Sequence, residues 1–250
     1  MKSVDSKKEN PKYFLFENTP MKPEVQNIIS AMLGVQPITI NSKLVSAQSR
    51  KRLYWTNIPG VKQPNDKGIL VKDILESGIY PKEKLYCLCH IQGNTRDFFK
   101  KNQTNIIFEP VRIATVEGNA PNKDGAAYRV YSIYGKTVTL KGKAGGVGAK
   151  TGLYLIPAPY GVCDKGKIYT VENGEIVTKF GKFYIGLPNG EYIIRKLMPI
   201  EAERAQTLPD NYTEGVSNTQ RYKCIGNGWT VDVIVHILKE LKDEYDTNNL

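Results

Sequence analysis

The first sixty residues alternate between short apolar runs and helical spacing. KYFLFEN, residues 12–18, is a continuous apolar run with aromatics, the form of a buried parallel strand. From Glu24 to Leu33 the apolar residues Val25, Ile28, Ile29 and Leu33 fall at helical spacing, and Gly34 supplies the stop. QPITIN (36–41) and RLYWTNI (52–58) predict two more strands. This β-α-β-β order predicts an α/β fold in which only the second half of an open sheet is present. A complete doubly wound sheet has about six strands.

The pattern changes after Pro59. Residues 61–190 are rich in Gly, Tyr, Asn and Lys and hold short β-like pieces, YRVYSIYG, KTVTLKG, TGLYLIP and KFYIGL. They predict a separate, mainly β domain with long loops. Pro199 to Gln206 predicts a short helix with Pro in its first turn and Glu201 and Glu203 near its positive end. Thr230 to Tyr245 is the strongest helical pattern, with Val231, Ile234, Val235, Leu238 and Leu241 on one face.

Composition narrows the class. The chain has 250 residues, 40% hydrophobic and 24% charged, which describes a globular protein rather than a disordered one. No apolar run reaches bilayer length, and MKSVDSKKENPK lacks the apolar centre of a signal peptide. Four cysteines in a chain of this length make no disulfide framework, so a cytoplasmic setting is expected. The net charge of +10 is concentrated: residues 61–190 carry 19 Lys and Arg against 11 Asp and Glu. Such a surplus fits a polyanionic partner, with nucleic acid the commonest, and equally a solvated lysine-rich surface.

Four stretches offer chemistry. In SAQSRKRLYWT (46–56), Arg50 and Arg52 are two apart, so an extended backbone points both guanidiniums the same way. Each is a planar fork of donors suited to phosphates and base edges. The alternative is a strand end with two solvated arginines. Glu17 stands at the carboxyl end of an apolar strand, where open α/β sheets bind ligands; a loop or capping glutamate is the alternative. GKAGGVGAKTG (142–152) is no phosphate loop, because Ala144 and Ala149 replace required glycines and no helix follows. With Lys141, Lys143 and Lys150 it still suits close approach to a nucleic-acid backbone, or is simply a mobile loop. YCLCH (86–90) groups Cys87, Cys89 and His90, but Cys163 and Cys224 are isolated, so no metal site is expected.

Together these pieces resemble the bacterial and phage DNA (cytosine-5) methyltransferases. FLFENT (14–19) is similar to the family's Glu-Asn-Val motif, with Thr19 in place of valine. VSAQSRKRLYW (45–55) is similar to its Gln-x-Arg-x-Arg motif, RKLMPIEAERAQTLPDNY (195–212) to its ninth motif and QRYKCIGNGWTVDVI (220–234) to its tenth. GKTVTLKGKAGGVGAKTGLYL (135–155) is similar to the end of a target recognition domain.

The resemblance implies a partial S-adenosylmethionine-dependent, Rossmann-like sheet plus a mainly β target recognition domain. Residues 1–60 would be half of the catalytic domain, 61–215 the recognition domain, and 216–250 a return segment ending in a helix on the catalytic domain. It also implies roles. A cysteine thiolate adds to carbon 6 of a flipped cytosine, and Glu17 would hold N3 and the exocyclic amine as the ring gains charge. Arg52 would grip the base oxygen O2, and Arg50 would steady the glutamate and a phosphate. Asn227, Gly228 and Trp229 match positions lining the cofactor site. Gln48, Thr139 and Leu140 are expected at the DNA, beside the loop lysines.

The family's Phe-x-Gly-x-Gly loop and Pro-Cys-Gln nucleophile motif are missing. The expectation is therefore the C-terminal subunit of a two-chain enzyme acting on double-stranded DNA, with a second polypeptide supplying the nucleophile. A non-catalytic DNA-binding remnant is the alternative.

Overall fold

The structure, a computed structural model, describes residues 12–88, 95–101, 104–110, 112–115, 129–132, 153–155 and 167–247. Strands β1 (Leu15–Asn18), β2 (Ile38–Asn41) and β3 (Lys51–Thr56) form a sheet in the order β1-β3-β2. β3 is the centre and runs antiparallel to both neighbours. The expected buried parallel strand is thus an antiparallel edge strand. Its continuous aromatic run resembles that of a two-sided interior strand, but its outer edge has no strand beside it among the described residues, and Phe16 is 41% exposed.

Helix α1 (Pro23–Leu33) links β1 to β2, with Pro at its first turn and Gly34 ending it at φ 70°. That left-handed conformation is where glycine costs least. α1 lies over β3 through Ser30, whose hydroxyl accepts from Trp55 Nε1 at 2.9 Å and donates to the Gln26 carbonyl at 2.9 Å. The apolar residues of α1 are not its buried face: Val25 and Ile28 are exposed and Ser30 is buried.

The opposite face of the sheet is covered by α5 (Val231–Thr247). Val233, Ile234 and Ile237 pack on Ile40, Val45, Tyr54 and Ile58, with Leu15, Ile38 and Leu241 partly buried beside them. Here too the inward face is rotated from the predicted one, since Val235 and Leu238 are exposed. α5 is apolar around much of its circumference, and contact with the sheet selects which part is buried.

The rest is β-rich. β4 (Ile107–Pro110), β8 (Tyr169–Glu172), β9 (Glu175–Thr178), β10 (Gly181–Tyr184) and β11 (Gly190–Arg195) form an antiparallel sheet in the order β10-β9-β8-β11-β4. β5 (Arg112–Thr115), β6 (Arg129–Ser132) and β7 (Leu153–Leu155) form a third, with β6 and β7 parallel. The five-stranded sheet packs with α2 (Thr95–Lys101), α3 (Pro199–Ala205) and α4 (Asn218–Asn227) around a second core. That core includes Phe98, Phe108, Ile194, Leu197, Tyr222 and Ile225. Among the described residues no helix is long and apolar enough to cross a membrane.

A candidate base-binding site at the sheet edge

The alternation along β3 puts Arg52 and Tyr54 on the face that α5 covers, and Arg50 immediately precedes the strand. On β1, Glu17 pairs in register with Tyr54, so its carboxylate lies on that same face. Arg52, one step diagonal, meets it: Nε stands 3.0 Å from Glu17 Oε1. The pair is neither sealed nor fully solvated, with side-chain exposures of 13% for Arg52 and 17% for Glu17. Arg52 Nη1 also donates to the Lys51 carbonyl at 2.8 Å, and Nη2 lies 3.7 Å from Cys87 Sγ. Among the described residues Glu17 Oε2 has no hydrogen-bond partner, and one N–H on each of Nη1 and Nη2 is unspent. Burial, then the Glu17 carboxylate, pushes the neighbouring Tyr54 hydroxyl up to about 12 against the two arginines, so it stays neutral.

Arg50 has a different position from the one expected. It is buried, and its guanidinium donates to the carbonyls of Leu88 (3.3 Å), Gly226 (3.0 Å) and Gly228 (2.9 Å). It therefore clamps the α4–α5 turn and residues 85–88, and its Nη groups are aimed at main chain and Cys87 rather than at Glu17. The steadying of Glu17 falls to Arg52. Neither arginine is a solvated strand end.

Gln48, expected at the DNA, lies in the interior. It is fully buried, with Nε2 donating to Ala205 O and Gln206 Oε1, both at 3.2 Å, and Oε1 accepting from Leu88 N at 2.8 Å. A side chain so enclosed has nothing left for DNA. Gln206, which the motif pattern did not single out, completes the knot. Its Oε1 accepts from Thr230 Oγ1 at 2.7 Å and its Nε2 donates to Ile225 O at 2.8 Å. Three sequence-distant motifs are thus joined at one buried point.

The ninth-motif segment holds further buried charge. Arg195 is fully buried and makes a bidentate pair with Glu201 at 2.8 Å for each bond. It also donates to Glu109 at 2.6 Å and to the carbonyls of Ser77 and Lys196. Burial would lower its pKa, but the two carboxylates outweigh it and raise it. Glu203 accepts from Asn211 N, Thr213 N and Arg221 Nη2 at 2.7–2.9 Å, and from Thr213 Oγ1. Burial pushes its carboxyl up, and these bonds together hold it below the ordinary value. The only advance sign of these roles was the clustering of Arg and Glu in RKLMPIEAER, which otherwise matched a helix start.

Asn227 and Trp229 stand on the surface beside Gly228, with Trp229 47% exposed. An open aromatic face next to an amide suits a purine ring and its polar edge. Thr139, Leu140, Lys141, Lys143 and Lys150 lie outside the described residues, as do Cys89 and His90. Among the described residues no cluster of His, Cys, Asp and Glu could hold a metal.

Residues 3–243 match the model of the C-5 cytosine-specific DNA methylase family, and the chain belongs to that family. It is 27% identical over 198 residues to the type II methyltransferase M.HhaI of Haemophilus parahaemolyticus, covering 76% of this chain and 47% of that protein. The type II methyltransferase M.Sau3AI of Staphylococcus aureus is 43% identical over 54 residues, 22% of this chain and 13% of its own length. The orphan methyltransferase M.SPRI of Bacillus phage SPR is 42% identical over 60 residues, 22% and 14% of the two chains. A solved methyltransferase of Entamoeba histolytica, EhMeth, covers 94% of this chain and 63% of its own at 14% identity, with a TM-score of 0.47. The chain thus spans about half the length of M.HhaI. Enzymes of this family take their methyl group from S-adenosylmethionine.

Proposed function

We propose that this chain is the C-terminal part of a DNA (cytosine-5) methyltransferase, the half that binds double-stranded DNA and holds the flipped base. Residues 1–60 with the helix of 216–250 form its share of the catalytic domain, and residues 61–215 form the target recognition domain. A second polypeptide carrying Pro-Cys-Gln supplies the thiolate.

The observation that carries this reading is the Glu17–Arg52 pair, 3.0 Å apart and partly open, with donor and acceptor capacity left over. A flipped cytosine presents an acceptor at O2 and, at N3 and the exocyclic amine, an edge that one carboxyl group can engage. Arg52 is held in place by Glu17 and Lys51 and keeps N–H groups for O2. Glu17 keeps Oε2 for N3 and the amine, stabilising the charge that grows on the ring as the thiolate adds to carbon 6. Arg50, Gln48 and Gln206 act through other groups: they hold the loops around the pair and touch no base. S-adenosylmethionine, when bound beside Asn227 and Trp229, supplies the methyl group.

The test is co-expression with the product of a neighbouring reading frame that carries Pro-Cys-Gln, followed by methyl transfer to DNA. The expected result is activity from the pair and none from either part. If DNA binding persists but no such frame yields transfer, the chain is a DNA-binding remnant instead.

A further inference from the structure

Tyr54 brings a ring and a hydroxyl into the interior, and the core explains only the ring. The ring packs with Ile40, Ile58, Val233 and Ile237 between the first sheet and α5, leaving the residue 3% exposed. A phenylalanine would fill that space equally well. The hydroxyl has no hydrogen-bond partner among the described residues. Other buried tyrosines differ: Tyr80 donates to Asn105 Oδ1 at 2.9 Å, Tyr192 to the Pro188 carbonyl at 3.0 Å, and Tyr222 to the Leu197 carbonyl. Leaving a buried hydroxyl unpaired costs stability. Beside a ligand site, such an orphan points to a partner gained when the site is filled.

The surroundings identify that partner. Tyr54 stands directly opposite Glu17 in the β1–β3 register, and facing residues of an antiparallel pair hold their Cβ atoms about 5 Å apart. Glu17, Arg50 and Arg52 are the charged groups that act on the hydroxyl. The two guanidiniums can only donate, so among these three Glu17 alone accepts. The α5 side chains packed there, Val233, Ile234 and Ile237, are apolar and offer no acceptor. A carboxylate has about four acceptor sites. Arg52 Nε occupies one on Oε1, and the edge of a flipped base engages up to two, so Oε2 keeps room for a hydroxyl.

We infer that Tyr54 is a positioning residue for the base: in the loaded site its hydroxyl donates to Glu17 Oε2 and fixes where the carboxylate stands against N3 and the exocyclic amine. The inference rests on the reading of Glu17 and Arg52 as the base-binding pair and adds a residue to it. Arg52 steers one oxygen of Glu17 and Tyr54 steers the other, so the carboxylate cannot turn out of line with the base. A carboxylate free to rotate is misplaced for part of the time, and misplacement costs rate more than affinity. Tyr54 itself touches neither base nor cofactor.

The test is Tyr54→Phe, which deletes the hydroxyl and keeps the ring. In the chain alone the urea midpoint should be unchanged or higher, because no bond is lost. In the assembled two-part enzyme, affinity for target DNA should stay within about twofold, while single-turnover methyl transfer slows about tenfold. In a Glu17→Gln background the same change should slow transfer no further. There the amide oxygen is held by Arg52, and a donor replaces the acceptor facing Tyr54. Normal turnover, a lowered urea midpoint, a matching loss of DNA affinity or an equal loss in both backgrounds overturns the role of Tyr54 and leaves the Glu17–Arg52 reading standing. If the parent pair of polypeptides transfers no methyl group, that reading falls and this inference falls with it.

Discussion

Glu17–Arg52 and Arg195–Glu201 are the same pair of residue types in opposite conditions. Arg195 is fully buried, all five of its donors are used, and two carboxylates surround it. Arg52 is bound on one side only, and its partner keeps an oxygen unpaired among the described residues. The difference is set by neighbours: α3 and β4 close over Arg195, whereas β1 has no strand beyond it among the described residues. A sealed pair fixes a joint between segments. An open pair keeps capacity for a ligand, and its own contribution to stability is small.

Breaking the sealed pair should have the largest effect on stability. Arg195→Met leaves Glu109 and Glu201 buried without their cation and should cost about 3–5 kcal/mol in urea denaturation. Next comes the amide knot: Gln206→Leu strands the donor of Gln48 and the hydroxyl of Thr230, for a loss of about 1–3 kcal/mol. Gln206→Glu keeps both acceptor bonds and should recover part of it.

The third effect is pH-dependent. Glu203 has its carboxyl held below the ordinary value, so the folded state prefers it ionised. The stability it contributes is complete above the ordinary carboxylate range and disappears as pH falls through the lowered value. Glu203→Gln should therefore destabilise the chain at neutral pH, and its difference from the parent should shrink on acidification. Smallest of all on stability is Glu17→Gln, below about 1 kcal/mol. In the assembled enzyme the same change should lower turnover by about a hundredfold or more with little loss of DNA affinity. Normal turnover would separate Glu17 from the chemistry and collapse the contrast.

The strand positions of the first sheet were legible because period-two alternation is a local property, and Arg50, Arg52 and Glu17 could be placed on it. What each arginine touches was not, since Leu88, Gly226 and Gly228 come from segments far along the chain. The partners of Gln48 were hidden for the same reason: only the fold shows that its amide faces Gln206. The helical stripes of α1 and α5 were correct as apolar surfaces. Which side packs inward was not legible, because spacing describes a helix and not its neighbour; Ser30, a polar residue, marks the buried side of α1 better than Ile28 does. Arg195 and Glu201 were hidden in a segment whose charges equally suit an ordinary helix start.

The placement of α5 has a consequence for how the chain is made. β3 ends at Thr56, but the helix covering its face begins at Val231 and ends at Thr247. A ribosome adding about 5–20 residues each second needs roughly 10–40 s to bridge that interval. Through that time Ile40 and Tyr54 wait on an uncovered sheet while the β-rich part folds. Arg50 likewise has no Gly226 or Gly228 to hold until translation is nearly finished. The sheet edge that carries Glu17 and Arg52 is therefore made well before the helix that covers its face, and a nascent chain stalled before α5 should be an early target for chaperones.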